Sequence, residues 1–117
     1  MKRLFVATLL SFFVVNLSAQ DYLPGIWKTD KDNTLVRIEK QGDVFEGKVI
    51  SSDDENIKPG TVMLKDVKSK KEKLEGKIYV PARDTWLEGT FEVSGDKLKI
   101  TAKIAFISKS VVWTKNQ

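Results

Sequence analysis

The feature that most constrains this chain is a strict alternation of apolar and polar residues. In Lys97-Leu98-Lys99-Ile100-Thr101-Ala102-Lys103-Ile104 every second residue is apolar and each of the others is Lys or Thr. A period of two marks a half-buried antiparallel strand, because successive side chains of a strand point to opposite faces of its sheet. The same period runs through Leu87-Glu88-Gly89-Thr90-Phe91-Glu92-Val93, through Leu74-Glu75-Gly76-Lys77-Ile78-Tyr79-Val80, and from Thr34 to Lys40 with Val36 and Ile38 inward. Val44 to Ser51, Thr61 to Lys68, Val111 to Lys115 and a short stretch through Ile26-Trp27-Lys28 bring the total to about eight expected strands.

The connections are short. Gln41-Gly42-Asp43 and Ser94-Gly95-Asp96 carry glycines that can take the positive φ of a hairpin turn, and Asp30 to Asn33 and Pro81-Ala82-Arg83-Asp84 read as further turns. Ser52 to Gly60 is the one long polar stretch, expected as a surface loop. Sequential hairpins of this kind build an up-and-down antiparallel meander. In so small a chain, closing the sheet on itself is the way to remove exposed edges, so the expectation is an all-β barrel, with an open two-sheet sandwich as the alternative.

The N-terminus belongs to another design. Lys2 and Arg3 precede an apolar run from Leu4 to Val15, followed by Asn16-Leu17-Ser18-Ala19. A basic start, an apolar stretch of about 7–15 residues and a small residue before the cut describe a secretory signal peptide. The run is short of the ~20 apolar residues that a membrane-spanning helix needs, so no span is expected after cleavage. The expected organisation is a signal peptide over 1–19 and one barrel domain over 20–117, exported to a periplasm or beyond the cell. No Cys follows the apolar run, which excludes a lipid-anchored lipoprotein.

Composition narrows the chemistry. The chain has no Cys and no His, which removes disulfides, thiol nucleophiles, Ser-His relays and the ordinary zinc, copper and haem sites; no cofactor is implied. Removing Lys2 and Arg3 lowers the net charge from +4 to +2. The densest basic stretch, Lys65 to Lys73, also holds Asp66 and Glu72 and has no aromatic on which a base could stack, so nucleic-acid binding is not expected. Asp53-Asp54-Glu55 lacks the alternating acids and central Gly of a calcium loop. The carboxylates at 75, 88 and 92 fall on outward positions, which argues against a facing pair of the kind that hydrolyses glycosides. The expectation is therefore a protein that binds and does not catalyse.

One local repeat bears on what it binds. Gly47, Gly76 and Gly89 each follow a glutamate within a strand, on the face of the flanking apolar residues. Such glycines mark a sharp bend or a place of close approach. If they instead leave space on the inner wall, a pocket would be lined by Phe45, Gly47, Val49, Gly76, Ile78, Leu87, Gly89, Phe91 and Ile100 and would take a small hydrophobic ligand. The rival is a protein-interaction or inhibitor module with a solid core, its long loop meeting a partner protein.

Two resemblances add to this. Gly25-Ile26-Trp27 on the first strand, with Trp113-Thr114-Lys115 on the last, resembles the calycin pattern, in which a basic residue near the chain end lies across the indole of a Gly-x-Trp strand; this implies that Trp27, Trp113 and Lys115 close one end of the barrel. From Gly25 to Lys115, the pieces Val36-Arg37-Ile38, Gly42-Asp43, Gly47-Lys48-Val49, Gly76-Lys77-Ile78-Tyr79-Val80-Pro81, Leu98-Lys99-Ile100 and Val112-Trp113-Thr114-Lys115 resemble, in order, domain-of-unknown-function family 2147, a family of small exported bacterial proteins. That resemblance implies a lipocalin-like barrel and no settled activity. The chain lacks the family's frequent cysteines near Gln41 to Glu46, and Val80 stands where an Asp commonly precedes Pro81.

Overall fold

A computed structural model describes residues 21–71 and 73–116; the expected signal peptide lies outside them. Eight strands follow in sequence: β1 (Gly25–Lys28), β2 (Leu35–Gln41), β3 (Val44–Ser51), β4 (Val62–Lys70), β5 (Lys73–Val80), β6 (Thr85–Ser94), β7 (Lys97–Ile104) and β8 (Ile107–Lys115). Each pairs antiparallel with the next, and β1 pairs with β8, so the sheet is a closed up-and-down barrel. The sandwich alternative is thereby excluded. One end carries the β2–β3, β4–β5 and β6–β7 turns together with the entry to β1. The opposite end carries the Thr29–Thr34 turn, the loop after β3, the 3-10 turn Pro81–Arg83 and the β7–β8 turn.

The inward positions of the alternating strands make the core. Trp27, Val36, Ile38, Phe45, Val49, Leu64, Val67, Leu74, Phe91, Leu98, Ile100 and Trp113 are all buried, and Leu23 from the segment before β1 is wholly enclosed with them. Burying a side chain of this kind contributes about 1.5–3 kcal/mol relative to leaving it in water. Two features bend the sheet tightly enough to close. Asp66 adopts positive φ (56°) inside a bulge of β4, where the register against β5 shifts between Lys65 and Lys68. Across the next strands Gly76 pairs with Gly89, and Gly89 with Ala102, a row without bulk on the inner face.

Closure rests on few contacts. Among the described residues only Trp27↔Lys115 and Lys28↔Thr114 pair across the seam, extended by a hydrogen bond from the Asn116 amide to the Ile26 carbonyl at 2.8 Å. The Trp27 indole Nε1 donates to the Leu23 carbonyl at 2.9 Å, so its one polar atom is satisfied inside the core. The Lys115 ammonium lies 4.7 Å from the centre of the Trp27 ring and donates to the Pro24 carbonyl at 2.9 Å. One lysine thus spans the indole and the segment that carries Leu23.

The long loop is pinned. The Asp53 amide donates to the Asp32 carbonyl, Asn33 Nδ2 donates to the Asp53 carboxylate at 2.7 Å, and the buried Thr34 hydroxyl meets that of Ser52 at 2.7 Å. Ile57 packs against the core. These bonds seal the β1–β4 side of that end.

The β7–β8 connection differs from expectation. The sequence places the last strand at Val111 to Lys115, whereas β8 begins at Ile107 and a two-residue turn, Ala105-Phe106, joins it to β7. Ala105 carries the positive φ (55°) that a hairpin turn commonly assigns to Gly or Asn.

Truncating a buried Trp costs roughly 3–5 kcal/mol and a cation over an indole contributes about 0.5–2 kcal/mol. Trp27→Ala is therefore expected to lower the melting temperature severely and Lys115→Ala modestly. A double-mutant cycle from denaturant melts should give a coupling of about 0.5 kcal/mol or more.

Candidate functional site

The interior comes first, because a pocket would lie there. Phe45, Val49, Ile78, Phe91 and Ile100 point inward and are buried in one cluster, with Leu87 packed against it. The expectation that Gly47, Gly76 and Gly89 open space among them does not survive the packing. A Cβ on Gly47 would stand 3.0 Å from the Val36 side chain and 3.3 Å from that of Leu64. On Gly76 it would lie 2.6 Å from Val67 Cγ2 and 2.7 Å from Val67 Cα, and on Gly89 3.0 Å from the Thr101 carbonyl oxygen. Side chains or neighbouring backbone already fill each vacated volume. The physical reason is the β4 bulge, which drops Val67 onto Gly76, and the tight coil that brings the β7 backbone over Gly89.

Gly76 and Gly89 do border a depression, but on the opposite face of the sheet. On the outer surface of β4–β7 a hollow of about 330 Å³ is lined by Asp66, Lys68, Lys70, Glu75, Lys77, Glu88, Thr90, Thr101 and Lys103 as well as these glycines. Lys68 faces Glu75 across the strands and Lys77 faces Glu88. The wall alternates ammonium donors with carboxylate acceptors and opens to solvent, so it can hold small polar molecules by hydrogen bonds.

Beside the hollow, on the same outer face, Tyr79 and Trp86 pair across β5 and β6 with ring centres 5.3 Å apart, and the Lys65 ammonium lies 4.2 Å from the centre of the Trp86 ring. The Tyr79 hydroxyl donates to the Asp84 carboxylate at 2.5 Å. That hydrogen bond raises the phenol above its usual pKa; desolvation and the carboxylate charge act in the same direction. Asp84 sits at positive φ (48°) at the end of the Pro81–Arg83 turn, which aims its carboxylate back at β5. The sequence reading passed over this cluster. Its only sequence signal is that Tyr79 and Trp86 are placed symmetrically about the turn and so share a face.

The second feature missed is the β7–β8 hairpin. Pairing of β6 with β7 stops at Gly89↔Ala102, leaving Thr85–Glu88 and Lys103–Ile104 without each other. Pairing of β8 with β1 begins only at Thr114, so Ile107–Trp113 keep a free outer edge, and no other backbone hydrogen bond among the described residues reaches it. Beyond Ala102 the hairpin is an arm with both edges open. At its tip Phe106 is fully exposed and Ile107 is 66% exposed. From Lys97 to Lys115 the sequence has five lysines and no acid, which a count along the chain would have revealed.

Fold and surface together define a small closed β-barrel with a filled core and an open outer face. The chain belongs to the family described as uncharacterized protein conserved in bacteria (DUF2147), whose sequence profile matches residues 25–115. No curated protein matches the chain.

Two outcomes check this geometry. Gly76→Ala, whose new methyl meets Val67 backbone and side chain, should destabilise the barrel by about 1–3 kcal/mol in urea melts; Gly47→Ala meets only side-chain atoms and should cost less. In an ultraviolet pH titration Tyr79 should ionise above the ordinary phenol range, and Asp84→Asn should bring it down. Because the folded pKa is raised, the contribution of this bond to stability is complete below the ordinary phenol pKa and fades as pH climbs through the raised one.

Proposed function

We propose that this protein is an exported, non-enzymatic binding module that engages its target on the outer surface of a solid barrel. The observation that carries the reading is the filled interior: the volumes beside all three strand glycines are occupied by Val36, Leu64, Val67 and the β7 backbone. An eight-stranded barrel is just wide enough to be filled by side chains or to hold one small ligand, and here the side chains take the space. This favours the interaction module over the carrier of a small hydrophobic ligand. The bonds that pin the long loop hold it against Asp32, Asn33 and Thr34, whereas the β7–β8 hairpin stands free, so the arm replaces that loop as the contact element.

Export rests on the N-terminal sequence, in which a basic pair, a short apolar run and Ala19 form a secretory leader. Binding without catalysis rests on composition. With no His or Cys in the chain, acid-base work falls to carboxylates, and those of the outer hollow lie among lysines on an open face.

Native mass spectrometry of the protein purified from its own host tests the reading. The barrel should leave free of small apolar molecules, and cross-linking before purification should attach its target through β7 and β8. A stoichiometric apolar molecule carried through the purification would overturn the solid-core reading and restore the carrier.

A further inference from the structure

The β7–β8 arm combines three properties that no other part of the described chain shares. Its tip is apolar over Ile104-Ala105-Phe106-Ile107, with Phe106 wholly in water. It is basic throughout, with Lys103 and Lys109 bounding the tip on either strand. It also stands free, released from β6 beyond Ala102 and from β1 before Thr114. Leaving a Phe and an Ile side chain in water forgoes the burial that drives folding, and nothing within the barrel uses them.

We propose that the arm inserts its tip into an anionic lipid surface, an inference that rests on the outer-surface reading above. The dimensions fit. The apolar part is one cross-strand row, Ile104↔Ile107, plus the turn beyond it, about 7 Å at the usual rise per residue. Interfacial apolar groups bury about 5–10 Å into the headgroup boundary. Lys103↔Ser108 is the next row and Ala102↔Lys109 the one after, so both ammonium groups arrive at the level of the phosphates, their stems lying along the apolar rows. Ile104 and Ile107 pair with each other, so the backbone polar groups left open at the inserted tip are those of the Ala105-Phe106 turn. Charge selects the lipid: acids are absent from Lys97 to Lys115, and the acidic stretch Asp53-Asp54-Glu55, at the same end of the barrel, follows β3, four strands around the sheet from the β7–β8 hairpin. Each lysine near an anionic bilayer adds attraction that falls off within a Debye length, so the contact is salt-sensitive.

The test is co-sedimentation of the full chain with vesicles of phosphatidylcholine alone and of phosphatidylcholine with phosphatidylglycerol. Wild type and variants share the N-terminal segment, so differences between them read the arm. Wild type should bind the anionic vesicles and release as salt is raised. Phe106→Ser with Ile107→Ser should weaken binding roughly ten-fold or more, and Lys103→Glu with Lys109→Glu should abolish the preference for anionic lipid. Both pairs lie outside the core, so circular dichroism should show an unchanged fold. Val112→Ser, an exposed apolar residue of β8 away from the tip, should bind like wild type. Equal binding of wild type and the tip variant overturns the proposal, as does binding indifferent to lipid charge. Self-association abolished by the tip variant, with no vesicle binding, would assign the arm to a second copy and also overturn it. A protein target cross-linked to the arm, without vesicle binding, would remove this inference and leave the outer-surface module standing.

Discussion

Trp27 is the contact on which the barrel depends. An antiparallel sheet of sequential hairpins needs only local pairings until its last step, when the first strand must meet the eighth. That step unites segments almost a full domain apart in sequence, so its chain-entropy cost is the largest of any pairing in the fold. Here the meeting rests on two paired positions, Trp27↔Lys115 and Lys28↔Thr114. Two rungs of ladder are weak compensation, and burial supplies the remainder. Trp27 is fully enclosed, places its indole N–H on the Leu23 carbonyl, and draws that leucine into the core behind it. Lys115 then clasps the outside, its ammonium shared between the indole face and the carbonyl of Pro24.

Closing so small a barrel also requires the strands to coil, and the coil decides what the interior can hold. A bulge at Asp66 and the Gly76–Gly89–Ala102 row concentrate bending on one side. Bending of that strength brings neighbouring strands against the glycine Cα atoms, which is why the space a missing side chain would leave is consumed. The same crease hollows the opposite face, where the charged depression lies, and it ends the pairing of β6 with β7. Filled core, outer hollow and free arm are three consequences of one bend.

The fold was legible because its information is periodic. Leu98, Ile100 and their lysine neighbours state which face is buried without reference to anything distant, and Gly42 and Gly95 state where chain reversal is cheap. Glycines 47, 76 and 89 were ambiguous for a physical reason: a residue without a side chain gives no sign of whether its space is empty or taken, and the answer lies with Val67 and Thr101 on other strands. The β7–β8 turn was illegible because Ala105 and Phe106 carry none of the usual turn chemistry and Ser108 to Ser110 break the alternation beyond it; the pairing of β7 with β8 up to Ile104↔Ile107 forces the reversal and holds an alanine at positive φ. The arm's charge was hidden by averaging. A chain of mixed sign and modest net charge reads as uniformly solvated unless its hairpins are counted separately.

The arm poses a problem that the rest of the fold solves by closure. A two-stranded ribbon with both edges free is marginal in water, and an exposed strand edge invites pairing with another chain. Lysine at 103 and 109 is a common remedy, since a charged side chain at an edge makes a second β-strand costly to add. An edge guarded in that way is poorly suited to strand addition but leaves the tip untouched, because the guard stands behind Phe106 and not on it. Positive φ at Ala105 costs about 1–3 kcal/mol where glycine would cost almost none. Glycine there would relieve the strain and also loosen the ribbon's end. Alanine keeps the turn stiff and adds a methyl group to the apolar cap. The arrangement favours projection of the tip over stability of the barrel, which is the balance expected where a surface contact, and not the core, carries the function.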